Sequence, residues 1–225
     1  TLFTAYTFGK SIDDGSSSFG GGGNSSDNAQ DPWNHRADRG RSAHDARQRL
    51  VLSYIYELPF GAGKPFASGA RGVVQHIIGG WQVAGITMFQ TGLSNTVRTQ
   101  ADVCNCDRSG SRMRADATGI PWKLDNPTPE RFWNTAAFRV PQQYTFGNSG
   151  RGVLDNPGIN NFDLSLMKNF RLFEAHSLQF RAEFFNAWNH PQFNAPNFNV
   201  DNVNFGRITS ARPERQIQLG LRYEF

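Results

Sequence analysis

No run in this sequence approaches the ~18 apolar residues that a membrane-spanning helix needs. That excludes a helical membrane protein but not a membrane β-barrel, whose strands hide their apolarity in alternation. Cysteine is nearly absent. Cys104 and Cys106, in VCNCDRSG, are separated by one residue, and no second Cys or His pair stands at zinc spacing. A structural zinc site is therefore not expected, which leaves a local disulfide in an oxidising space or two free thiols. Charge of one sign is lacking too: 23 Lys plus Arg are interleaved with 19 Asp plus Glu, for a formal charge of +4. Such scatter reads as solvated surface, and no nucleic-acid partner is expected. There is no G-x-S-x-G, no P-loop and no H-E-x-x-H. The glycine run at 20–23 has no following Lys-Ser/Thr, and Asp13 and Asp14 read as turn residues. We expect no enzyme, no cofactor and no metal.

What remains is a chain of 225 residues, 38% apolar, with 19 phenylalanines and abundant Gly, Asn, Ser and Asp. This suits short strands joined by long polar loops better than a helical bundle. Period-two segments fall at 2–11, 49–58, 81–97, 161–170, 176–188 and the C-terminus. In the last, Ile217, Leu219, Leu221, Tyr223 and Phe225 alternate with Gln216, Gln218, Gly220, Arg222 and Glu224. The third alternates least clearly, so its facing stays open, and VVQHII before it reads as a short helix or strand. The first, third and fifth connections (about 12–47, 99–160 and 189–212) are long, and the second and fourth are shorter. Six strands of about ten residues with this asymmetry predict an all-β chain. The specific expectation is an antiparallel up-and-down transmembrane β-barrel segment with long extracellular loops. Aromatics gather at strand ends, as interfacial girdles do. The apolar stripe Ile217, Leu219, Leu221, Tyr223 and Phe225 would face lipid and form the assembly strand. Asp163, Gln179, Arg181, Glu183, Gln218, Arg222 and Glu224 would line the lumen, with Arg181, Glu183, Arg222 and Glu224 as a cross-strand charge ladder.

FGNSGRGVLDNPGINNFDLSLMKNF, LQFRAEFFNAWNHPQFNAPN and FGRITSARPERQIQLGLRYEF, in that order, resemble the C-terminal end of TonB-dependent outer-membrane receptors. The nearest group is the Oar-like receptors with a carboxypeptidase-regulatory-like domain, numerous in Acidobacteria. YTFGKSIDD, LPFGAGK and GWQVAGITMFQTG resemble earlier strands of that group, so the resemblance covers the whole chain. It implies residence in the bacterial outer membrane and uptake of a bulky nutrient. It also implies contact with outer-membrane lipid and lipopolysaccharide, and with the barrel-assembly machinery through the last strand. Coupling to TonB would run only through N-terminal parts that this chain lacks. A receptor barrel has about 22 strands and a plug, so residues 1–225 read as its C-terminal part. Opening on Thr1, with no methionine or signal peptide, the chain reads as a processed product or a fragment.

The competing reading is a secreted all-β carbohydrate-binding module, or a surface-structural or adhesive one. Trp33, Arg36, Arg39 and Arg41, with Arg47 and Arg49, form the densest basic patch and are candidates for an anionic ligand. Trp122 and Trp133 either contact ligand or pack their own loop, and packing is favoured. His35 and His44 share a loop with Asp31, Asp38 and Asp45. A metal could be held there, but solvated loop residues are the default.

Overall fold

Alternation builds the main sheet. The computed structural model describes residues 1–15, 29–31, 33–106, 113–173 and 176–225. Six strands, β1 (Leu2–Phe8), β2 (Gln48–Glu57), β3 (Trp81–Gln90), β4 (Ile159–Arg171), β5 (Ser177–Phe185) and β6 (Gln216–Glu224), pair antiparallel in chain order. The register Leu178↔Tyr223, Phe180↔Leu221, Ala182↔Leu219 and Phe184↔Ile217 keeps one apolar face continuous. It runs on through Leu164↔Phe184 and Leu166↔Val83 to Tyr56↔Val83 and Leu52↔Thr87. Side chains directly opposite in a ladder share a face, so Gln179, Arg181, Glu183, Gln218, Arg222 and Glu224 lie together on the other side. Asp163 is on that side as well, opposite Ile86.

The expected transmembrane β-barrel segment is corrected here. The strand order runs β1-β2-β3-β4-β5-β6 and ends, with β1 and β6 unpaired to each other among the described residues. The architecture is an open six-stranded sheet with four two-stranded ribbons. The polar face therefore encloses no lumen. The ion pairs on that face run along strands, Arg181–Glu183 at 3.6 Å and Arg222–Glu224 at 2.8 Å, and not across them, because Arg181 stands opposite Gly220. The apolar face of β6 is open: Ile217, Leu219, Leu221 and Tyr223 are all exposed, and Phe225 lies beyond the strand's end.

The core sits in the connections instead. Antiparallel order places the three long connections at one end of the sheet, and there they fold into a single head. The ribbon strands belong to it: Ile12–Asp13 pairs with Gly40–Arg41, Ser94–Asn95 with Leu154–Asp155, Arg98–Thr99 with Met113–Arg114, and Asp116–Ala117 with Phe138–Arg139. β3 stops at Gln90 rather than reaching Val97. Gly92 there lies so close to the Asn156 carbonyl that a Cβ would not fit, and the chain turns off into the head. Val97, Ala115, Trp133, Ala137, Phe138 and Leu154 form the buried cluster. Phe198, Val200 and Phe205, from the β5–β6 connection, pack against it. Trp133 is fully buried, and its indole N–H donates to the Asp155 carbonyl at 3.0 Å.

At the other end, β2 and β3 are joined through α2 (Gly72–Ile78). Lys168 is the cation on the apolar face. Its ammonium reaches the Ile77 and Gly79 carbonyls where α2 ends, 4.6 Å over the Trp81 ring. This suits both the helix dipole and the aromatic face, while burial pushes the amine's pKa down.

Candidate binding cleft

The two glycines at the base of the head make its cleft possible. A Cβ at Gly40 would collide with the Arg151 carbonyl, and Gly152, at φ +64°, lies against the Arg41 carbonyl at 2.5 Å from where its Cβ would be. Only residues without a side chain let these two backbone segments touch. Their contact brings Arg41 and Arg151 side by side beneath a cleft of about 940 Å³. That volume lies in the range of small-molecule sites.

Five cationic side chains line it, Lys10, Arg39, Arg41, Arg47 and Arg151, against one carboxylate, Asp155. They divide into two sets. Arg41 is clamped, donating from Nε to Asp45 at 2.8 Å and from Nη1 to Asp155 at 2.6 Å. Burial pulls the Arg41 guanidinium down, but Asp45 and Asp155 outweigh it and raise its pKa. Burial likewise pushes Asp45 up, and the Ser11 amide with Arg41 more than reverses this, holding the carboxyl below its ordinary value. Arg151 is paired with Asp13, and burial lowers its pKa. The second set, Lys10, Arg39 and Arg47, is exposed and holds no ion pair among the described residues. Trp122 is half-buried, seated on the core cluster while also lining the cleft, and its carbonyl accepts the Asn134 amide at 2.8 Å. Behind the wall, Arg41 Nη2 and Ser149 Oγ are buried and without a hydrogen-bond partner among the described residues. The clamped arginines contribute positive potential, and the exposed Lys10, Arg39 and Arg47, with Trp122, can touch a ligand.

Of the candidates read from sequence, Arg39, Arg41, Arg47 and Trp122 come together here. Trp33, 94% exposed, and Arg36, exposed on α1 (His35–Asp38), stand outside the cleft. Trp133 packs the core. Arg49 lies on β2, where it reaches Met88 Sδ at 3.7 Å. The His35/His44 loop offers no metal cluster among the described residues: Asp38 is ion-paired with Arg114 and Asp45 with Arg41. The glycine run at 20–23 lies outside the described residues. Cys104 and Cys106 are joined as a disulfide. Sequence reading missed Lys10 and Arg151, which stand 29 residues before and 112 residues after Arg39 and carry no local pattern.

Residues 1–218 match the family described as "Outer membrane beta barrel domain". The chain belongs to that family. No curated protein and no solved structure matches it. The narrower resemblance to an Oar-like TonB-dependent receptor is corrected. The matched family is described only by its barrel, and in this barrel-family chain the six strands form an open sheet. TonB-dependent nutrient uptake is withdrawn on the same finding. So are the outer-membrane placement, the lipid and lipopolysaccharide contacts, and the barrel-assembly and TonB partners, since each was implied by that receptor resemblance. No described helix is long and apolar enough to cross a membrane.

Proposed function

We propose that this chain is an all-β binding module that captures an anionic carbohydrate in the cleft of its head. The observation that carries the reading is the division of labour among the cations. Arg41 and Arg151 are held by Asp45, Asp155 and Asp13, whereas Lys10, Arg39 and Arg47, exposed around the half-buried Trp122, form no ion pair among the described residues. These exposed cations form none of the ion pairs among the described residues, so their charge is available to a carboxylate or phosphate. An indole beside them offers a flat apolar surface to a sugar ring. Binding rather than turnover is the role, with the sheet as frame.

The test is a panel of oligosaccharides run against the purified chain by isothermal titration calorimetry: an oligouronate, a phosphorylated oligosaccharide and a neutral oligoglucoside. The anionic ligands are expected to bind and the neutral one not to. Arg39→Ala/Arg47→Ala should weaken binding of the anionic ligands, as should Trp122→Ala. Equal binding of all three, or none, would overturn the reading.

A further inference from the structure

A second cluster of ligating side chains lies in the head, outside the cleft. Asp102, Cys104 and Cys106 bring one carboxylate oxygen and two sulfurs within 4.8 Å of one another. The loop is held just before the cluster and within it. Before it, the Asp201 carboxylate accepts from Thr99 Oγ1 and the Gln100 amide at 2.8 Å and from the Ala101 amide at 3.1 Å. Between Asp102 and Cys104, the Val103 carbonyl accepts the Tyr144 amide at 2.6 Å. Within it, Asp102 Oδ1 accepts the Cys106 amide at 3.2 Å, which keeps the carboxylate turned toward the sulfurs.

The two sulfurs are 3.1 Å (Cys104) and 3.9 Å (Cys106) from that same oxygen. A disulfide sulfur has no proton to donate, so neither contact is a hydrogen bond while the bridge is closed. Reduction changes this. A dithiol reductant attacks the exposed Cys106 sulfur as thiolate and the S–S bond breaks. Two electrons and two protons pass to Cys104 and Cys106 as the reductant closes to its own disulfide. The carboxylate then faces two thiols, and a divalent cation that displaces their protons would meet S, S and O donors. Two thiolates with one carboxylate suit zinc-like ions, and three protein ligands leave one position for water.

We propose that Asp102, Cys104 and Cys106 form a redox-gated site, closed as the disulfide and open to a thiophilic divalent cation when reduced. The probe is Cd²⁺ alone, added to the full chain before and after reduction by a phosphine. Binding is followed by the thiolate-to-metal charge-transfer absorbance. The reduced chain is expected to take one equivalent and the oxidised chain none. Outer-shell partners of metal sites already change affinity 10–100-fold, so losing a direct ligand in Asp102→Asn should weaken binding by at least about tenfold. Cys104→Ser/Cys106→Ser should abolish the absorbance, with its circular dichroism showing that it remains folded. Equal Cd²⁺ binding in both redox states, no binding after reduction, or unchanged affinity in Asp102→Asn would each overturn the proposal. So would two free thiols that fail to bridge in air.

Discussion

Trp133 is the point at which the stability of the head and the shape of its cleft can be perturbed together. It is fully buried among Val97, Ala115, Ala137, Phe138 and Leu154, packs edge-on against Phe132 at 6.0 Å, and donates to Asp155. Trp133→Ala removes all of this. A buried Trp→Ala change costs ~3–5 kcal/mol, and the lost hydrogen bond adds about 1 kcal/mol, giving roughly 4–6 kcal/mol. Single domains hold only ~5–15 kcal/mol, so the head would be left marginal. Trp133→Phe keeps most of the apolar contact but strips the Asp155 carbonyl of its indole donor, at about 1–3 kcal/mol. Amide exchange reads both variants: the Ala115 amide bonds to Val97 at 3.1 Å and the Ser149 amide to Ala115 at 3.0 Å. Protection there should fall in the order wild type, Trp133→Phe, Trp133→Ala, and by more than in β4 and β5. Because Asp155 also clamps Arg41, Trp133→Phe should weaken ligand binding in step with the lost protection. Unchanged protection combined with lost binding would refute this reasoning, and would mean that Trp133 touches ligand directly.

Gly40→Ala forces its new methyl into the Arg151 carbonyl; a destabilisation of about 1–3 kcal/mol is expected from overpacking, read by thermal unfolding, together with weaker binding. Asp45 has a folded pKa below its ordinary 3.8. Its contribution is therefore fully present above 3.8 and is lost as pH falls through the folded value. Asp45→Asn should flatten that acid limb in a fluorescence-monitored pH titration. The exposed apolar stripe of β6 predicts self-association through that face. By analytical ultracentrifugation, Leu219→Glu should reduce it and Gln218→Glu, on the polar face, should not.

The sheet was legible because its signal is local. Alternation with a period of two fixes which residues share a face, so Asp163, Arg181 and Glu224 could be grouped, and separated from Leu219 and Leu221, without coordinates. Closure was not legible, because whether β1 meets β6 depends on the whole sheet and on no single strand. The head was hidden for a different reason. Its strands are two residues long, too short for any period, and its core draws Val97, Trp133, Leu154 and Phe205 from two connections. Ion pairs such as Arg114–Asp38 and Arg151–Asp13 join residues far apart in the chain. Arg39 and Arg41 could be named as cations suited to an anionic ligand, and Trp122 as an aromatic of its long loop for which packing was favoured. That they share one cleft follows only from the backbone contact at Gly40 and Gly152.

Lys10, Arg39 and Arg47 around Trp122 are proposed to bind an anionic sugar. The most direct measurement is calorimetric titration of an oligouronate at low and high ionic strength, with wild type and with Arg39→Ala/Arg47→Ala. Wild-type affinity should fall steeply with salt, as contacts between exposed charges are screened, and the double variant should be weaker and nearly insensitive to salt. Identical salt dependence in the two proteins would contradict the proposal.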